Sequence, residues 1–106
     1  VIPEFAAHGD RIRTITGKRG LNAFSNTLLN DVLADNNIET VVVAGAVTSV
    51  CIDSTARSAH EKGYSVVVLD DCTAGRSDFE QKFYCEQIFP LYATVMSSTA
   101  LVEALT

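Results

Sequence analysis

The stretch Thr40–Thr55, TVVVAGAVTSVCIDST, decides how the rest of the chain is read. Ile38–Ala44 is a continuous apolar and β-branched run, the pattern of a strand covered on both faces. A turn containing Gly45 follows, and then a helix that opens near Cys51. Ligand and reaction sites in open α/β sheets are built at strand ends, and a helix N-terminus favours a thiolate. A cysteine in an apolar helix is commonly a packing residue; its place at a strand–turn–helix junction is what singles out Cys51. The turn Gly45-Ala46-Val47-Thr48 can aim backbone N–H groups at an oxygen beside the thiol, as an oxyanion hole requires.

The flanking segments alternate between strand and helix patterns. Arg11–Thr16 alternates polar and apolar residues, predicting a short half-exposed strand. Ser25 is placed to cap a helix reaching about Asp35, with Leu28, Leu29, Val32 and Leu33 on one face. Thr48 or Ser49 is placed to cap the helix that carries Cys51, which runs to Lys62 and stops at Gly63. Val66–Leu69 reads as a strand ending in Asp70-Asp71. Ser77 is placed to cap a helix from Asp78 to about Phe89 with Phe79, Phe83 and Ile88 inward, closed by Pro90. Ala93–Met96 is a last short strand, and Ser98 or Thr99 caps a terminal helical turn. Strands alternating with helices imply crossover connections and a mainly parallel α/β sheet.

Composition narrows the function classes. The 106 residues suffice for one domain. With 47% hydrophobic and 20% charged residues, the chain is apolar enough to form a core. A net charge of −5, with eight Lys and Arg scattered along the sequence, argues against nucleic-acid and anionic-membrane partners. No apolar run reaches the roughly 20 residues of a spanning helix. Cys51, Cys72 and Cys85 form no CxxC pair, so a reducing, cytoplasmic compartment is expected and a disulfide framework or zinc site is not. His8 and His60 lie far apart in sequence, and neither a metal nor a cofactor is expected.

Lys18 sits in the loop after the Arg11–Thr16 segment. A loop lysine is usually a solvated charge. In a parallel sheet, however, the ends of that strand and of Ile38–Ala44 share one rim, where an ammonium stabilises a thiolate and can donate a proton. Phe24 either walls a pocket there or packs in the core. Asp70 and Asp71 read as capping residues, and Cys72 and Cys85 as packing. His60 reads as a favourable contact with a helix C-terminus.

The pattern Lys18-x-x-x-x-Ala23-Phe24-x-x-Thr27-x-Leu29, followed by VVVAGAVTSVCIDSTARSAHEKGYSVVVLDD, resembles the isochorismatase-like cysteine hydrolases. That superfamily includes nicotinamidases, N-carbamoylsarcosine amidases, biuret and ureidoacrylate hydrolases, and true isochorismatases. The likeness runs from about Pro3 to Leu105. It implies a Rossmann-like three-layer α/β/α fold with a mainly parallel sheet, formed by residues 1–106 as the C-terminal part of one hydrolase domain. It also implies an Asp–Lys–Cys triad in which Cys51 attacks an amide carbonyl to form a thioester and Lys18 supports the thiolate. The backbone N–H groups of Val47 and Cys51 would be the oxyanion hole, with a non-proline cis peptide at Ala46–Val47. Arg57 matches the family's Thr-Ala-Arg stretch, and an ion pair with a nearby carboxylate explains it equally well.

The family's triad Asp ends a first strand far upstream of the lysine, and no such strand precedes Lys18 in this sequence. Asp10 follows no strand and is too near the lysine in sequence to take that role. The expectation is therefore that an N-terminal segment outside this chain supplies the Asp and the family's first two strands. The substrate expected is a small non-peptide amide, since a cysteine at this position argues against the vinyl-ether cleavage of isochorismatase proper. Homo-oligomers are expected from exposed apolar edges. The alternative is a catalytically inactive fragment or relative serving as an oligomerisation or binding module. A redox-sensing thiol is a weaker reading, because no resolving cysteine lies near Cys51 in sequence.

Overall fold

A computed structural model describes residues 2–106. Its elements are α1 (Pro3–Ala6), α2 (Leu29–Asp35), β1 (Thr40–Ala46), α3 (Asp53–Glu61), β2 (Ser65–Ala74), α4 (Asp78–Phe83), β3 (Thr94–Met96) and α5 (Ser98–Leu105). The three strands form one parallel sheet in the order β1-β2-β3. Parallel neighbours need long crossovers, and α3 and α4 lie in these connections. The α/β class read from the alternation is the class observed.

Register follows the apolar runs, with Val41, Val42 and Val43 opposite Val66, Val67 and Val68. The ladder then slips, and Gly45 pairs with Thr73. The extra β2 residues loop out, closed by the Thr73 hydroxyl donating to the Leu69 carbonyl at 3.0 Å. Gly45 has φ +122°, a conformation that L side chains rarely adopt, so glycine is needed where β1 turns toward Cys51.

The core joins Val43, Val66 and Val68 of the sheet to Ile52, Ala56 and Ala59, with Phe24 and Phe89 closing it. Ala56 and Ala59 are fully buried, and such small side chains let α3 approach the sheet closely. This helix ends as its sequence predicts. Gly63 N donates to the His60 carbonyl and Tyr64 N to the Ala59 carbonyl, with Gly63 at φ +96°, which is a Schellman motif.

Four expectations are corrected. Arg11–Thr16 is not a strand. Arg11 ends a short 3₁₀ turn, Gly9–Arg11, and the residues after it pair with no neighbour among those described. Alternating polarity fits a half-buried strand, but a strand persists only where another offers its ladder. The α2 helix starts at Leu29 and not near Ser25, because residues 23–27 form a turn in which the Thr27 hydroxyl donates to the Ala23 carbonyl. Among the described residues β1 is not covered on both faces: it forms the edge of the sheet, and Val42 remains 41% exposed.

The fourth correction concerns α4, which stops at Phe83 and continues as a widened π-type turn, Tyr84–Ile88. Phe79 faces solvent at 78% exposure, whereas Phe89 is fully buried. Smaller shifts affect the caps. Ser77 accepts from Glu80 N as expected, but Ser97, and not Ser98 or Thr99, caps α5 by accepting from Ala100 N. Asp71 supports the same end, its two oxygens accepting from Ser98 N at 2.8 Å and Ser98 Oγ at 2.7 Å. Among the described residues no helix is long and apolar enough to cross a membrane.

Candidate active site

Beyond the end of β1 the Ala46–Val47 peptide is cis. The chain then enters a widened turn, Thr48–Ile52, that leads directly into α3. Cys51 lies in this turn with its thiol free and half-buried. The Val47 carbonyl accepts from Val50 N at 3.0 Å and from Ile52 N at 3.2 Å. These donors lie three and five residues on. An α-helical turn would instead bring the fourth residue's N–H, that of Cys51, to this carbonyl. Single widened turns of this kind recur at functional sites.

The loop carrying Lys18 comes back over this turn. Lys18 Nζ lies 4.0 Å from Cys51 Sγ and donates to the Gly20 carbonyl at 2.5 Å. Among the described residues no carboxylate pairs with the ammonium. Two anchors set the loop's position. Ala23 N donates to the Thr55 hydroxyl at 2.9 Å, tying the loop to α3 one turn after Cys51. Phe24, its N–H held by the Asn22 side chain, is buried in the core against Tyr64 with ring centroids 6.3 Å apart. Phe24 therefore packs in the core, and the Lys62 ammonium lies over its ring at 5.5 Å.

On its other side the turn is fastened to α4. Thr48 is fully buried and its hydroxyl donates to Gln81 Oε1. Gln81 Nε2 donates in turn to Thr73 Oγ1 at 2.8 Å and to the Asp70 carbonyl at 3.1 Å. Ser49 Oγ donates to Glu80 Oε1 at 2.6 Å, and Arg76 donates to the same carboxylate from its backbone and side chain. The Ser49 and Arg76 hydrogen bonds hold the Glu80 carboxyl down at about 2. Thr48 and Ser49 are thus not helix caps; the position before the turn is Val47, which has no side-chain cap. The sequence does not show these pairings, because the partners lie more than 30 residues away and Gln81 and Glu80 carry no signal of their own.

The remaining singled-out residues serve packing and pairing. Arg57 Nε bridges both Asp53 oxygens at 2.9 Å, and the Tyr92 hydroxyl donates to Asp53 Oδ1 at 2.9 Å. The Arg57 guanidinium also lies 5.4 Å from the centre of the Tyr92 ring. Burial, and then the Asp53 hydrogen bond, push the Tyr92 hydroxyl far above the ordinary tyrosine value. His60 sits in the last turn of α3, its ring tilted against Tyr92. Cys85 receives Gln81 Nε2 at 3.5 Å and burial pushes its thiol up, while Cys72 is exposed. Among the described residues no group of His, Cys, Asp and Glu could hold a metal ion.

Fold and site define an α/β protein with a thiol and an ammonium paired at the carboxyl edge of a parallel sheet. The isochorismatase domain family matches residues 1–100, and the chain belongs to that family. The isochorismatase family protein YddQ of Bacillus subtilis is 32% identical over 100 residues, covering 85% of this chain and 56% of the relative. A solved isochorismatase family protein from Burkholderia thailandensis superposes with a TM-score of 0.83 at 35% identity, over 86% of this chain and 47% of its own. The pyrazinamidase/nicotinamidase of Streptococcus mutans superposes at 0.69 with 32% identity, over 74% of this chain and 44% of its own. The chain spans about half the length of these relatives.

Proposed function

We propose that this chain carries the nucleophile half of a cysteine hydrolase site that cleaves amide-type C–N bonds in small non-peptide substrates. The observation that carries the reading is the 4.0 Å approach of the Lys18 ammonium to the Cys51 thiol across 33 residues of sequence. Family membership and the likeness to a pyrazinamidase/nicotinamidase support the amide chemistry.

In this reading the Cys51 thiolate, stabilised by Lys18, adds to the amide carbonyl. The oxyanion is received by the backbone N–H groups of Val47 and Cys51. Collapse of the adduct expels the amine, which takes a proton, and leaves a thioester. Water then attacks the thioester to release the acid and restore the thiol. Lys18 donates to the Gly20 carbonyl and to Cys51 Sγ. The proton acceptor that activates water is assigned, on the family's triad pattern, to a carboxylate on a segment outside this chain. Self-association through the bare edge of β1 belongs to the same proposal.

Brief treatment with iodoacetamide at about pH 6.5, followed by peptide mapping, tests the assignment, because only a stabilised thiolate alkylates quickly there. Fast labelling confined to Cys51 is expected. Equal, slow labelling of Cys51, Cys72 and Cys85 would overturn it and favour an inactive binding module. In the protein that includes the carboxylate-bearing segment, Cys51→Ser is expected to abolish turnover of an amide panel while leaving the unfolding transition in place, since the change in side-chain volume is small.

A further inference from the structure

A set of contacts that neither Cys51 nor Lys18 uses converges on the turn between them and α4. We propose that Thr48 and Gln81, seconded by Ser49 and Glu80, are positioning residues. They hold the turn in its widened form, so that the Cys51 N–H is presented to the substrate oxyanion and not spent inside the helix. The proposal deepens the hydrolase reading and rests on Cys51 being the nucleophile.

The Val47 carbonyl accepts from Val50 and Ile52 and not from Cys51. Tightening the turn by one residue would give the ordinary α-helical bond, from Cys51 N to Val47 O. The Cys51 N–H would then be spent on that carbonyl. Something must hold the wider turn open, and the side chains inside it do so.

Thr48 is fully buried and ends on Gln81 Oε1. The amide of Gln81 cannot be turned over without loss, because its nitrogen already donates to Thr73 Oγ1 and to the Asp70 carbonyl. An inverted amide would set an oxygen against that carbonyl. Gln81 is thereby fixed to β2 on one side and fixes Thr48 on the other. Ser49 forms the second tie, and its partner Glu80 is clamped by Arg76 Nε at 2.9 Å and by Arg76 N at 3.1 Å. Two adjacent residues of the turn are thus bound to two adjacent residues of α4, which prevents rotation of the turn about its own axis.

Two reagents separate positioning of the oxyanion hole from reactivity of the thiol. With p-nitrophenyl acetate the thiolate forms a C–S bond to the acetyl carbon through an oxyanion, and the C–O bond to p-nitrophenolate breaks. With iodoacetamide the thiolate displaces iodide at a saturated carbon, and no oxyanion forms. Thr48→Val keeps the shape and removes the hydroxyl. It is expected to slow acylation about 10- to 100-fold, a part of the roughly 100- to 1000-fold that outright loss of one oxyanion donor costs, with alkylation changed by less than about twofold.

Thr48→Ser restores the hydroxyl and is expected to recover most of the acylation rate. Acylation by Thr48→Val at the parental rate would overturn the proposal, as would Thr48→Ser as slow as Thr48→Val, or parallel slowing with both reagents. Should Thr48→Val fail to fold, Ser49→Ala reads the second tie. A loss of about 3- to 10-fold in acylation alone is expected there, a fraction of the full donor effect, and an unchanged rate overturns the proposal. Cys51→Ala tests the underlying reading separately. Loss of the acylation burst upholds it, and a burst that survives removes Cys51 as the nucleophile and the positioning role with it.

Discussion

The relation between Lys18 and Cys51 is one of charge at short range. A unit charge 4 Å from a thiolate stabilises it by about 1 kcal/mol even at the dielectric constant of bulk water, a factor of about 5 in an equilibrium, and by more where water is partly excluded. Lys18→Ala is therefore expected to slow iodoacetamide labelling of Cys51 at about pH 6.5 at least fivefold, leaving Cys72 and Cys85 unaffected. An unchanged rate would remove Lys18 from the mechanism. Thr55 acts through geometry. Its hydroxyl is the acceptor for Ala23 N, and Thr55→Val leaves that part-buried donor without a partner, at a cost of about 1–3 kcal/mol. A lower unfolding midpoint together with slower Cys51 labelling is expected, since the Lys18 loop is then held by Phe24 alone; a lower midpoint with unchanged labelling would confine Thr55 to stability. The pairing of Lys18 with Cys51 was legible in the complementary chemistry of the two side chains and in the family pattern. A parallel strand at Arg11–Thr16 is not the reason for it, since that segment is no strand and the loop is carried to Cys51 by the Ala23–Thr55 bond and by Phe24. The ties of Thr48 to Gln81 and of Ser49 to Glu80 were not legible, because nothing local distinguishes a hydroxyl that caps its own helix from one that reaches another element.

Among the elements, α4 shows where periodicity misleads. Apolar residues at helical spacing seek the core, which predicts an inward face carrying Phe79 and Phe83. In the structure they stack on each other with ring centroids 6.0 Å apart, and Phe79 is largely exposed. The face turned toward the protein carries Glu80 and Gln81, and the aromatic anchor of this connection is Phe89, beyond the widened turn. Phe89 is fully buried and packs edge-on against Tyr84 and Tyr92. Phe89→Ala is expected to cost about 3–5 kcal/mol in denaturant unfolding, whereas Phe79→Ala should leave the midpoint nearly unchanged. The Ser49–Glu80–Arg76 tie also makes stability depend on pH. Folding lowers the Glu80 carboxyl from its ordinary 4.5 to about 2. The contribution is present in full above the ordinary value and is lost as pH falls through the folded one. Asp71, lowered by its bonds to Ser98, acts in the same direction. Melting temperatures measured at constant ionic strength are expected to fall as the pH is lowered below about 4.5, and Glu80→Gln should flatten that decline. A mutant curve parallel to the parent's would show that Glu80 titrates as it does in the unfolded chain.

For the whole molecule, the alternation of strand and helix was enough to give the parallel α/β class, because each β-branched run and each glycine or serine boundary is a local signal. What the sequence could not show is which strands meet. Arg11–Thr16 has the alternation of a strand, yet a strand is a property of two segments, and among the described residues none lies beside it. Among the described residues β1, which carries the site at its end, is likewise an edge strand with Val42 open to solvent. A seven-residue apolar edge offers a row of backbone donors and acceptors to any second strand. We propose that this edge drives self-association of the chain. Sedimentation velocity on the 11.4 kDa protein is expected to show a dimer or larger species at micromolar concentration. Lysine on an edge strand opposes pairing through charge and hydration. Val42→Lys should therefore shift the distribution toward the monomer, while Phe83→Lys, on the exposed side of α4, should not. If Phe83→Lys dissociates the protein and Val42→Lys does not, the stacked phenylalanines form the contact and the edge of β1 does not. If neither variant changes the distribution, or the parent sediments as a monomer throughout, the edge plays no part in assembly.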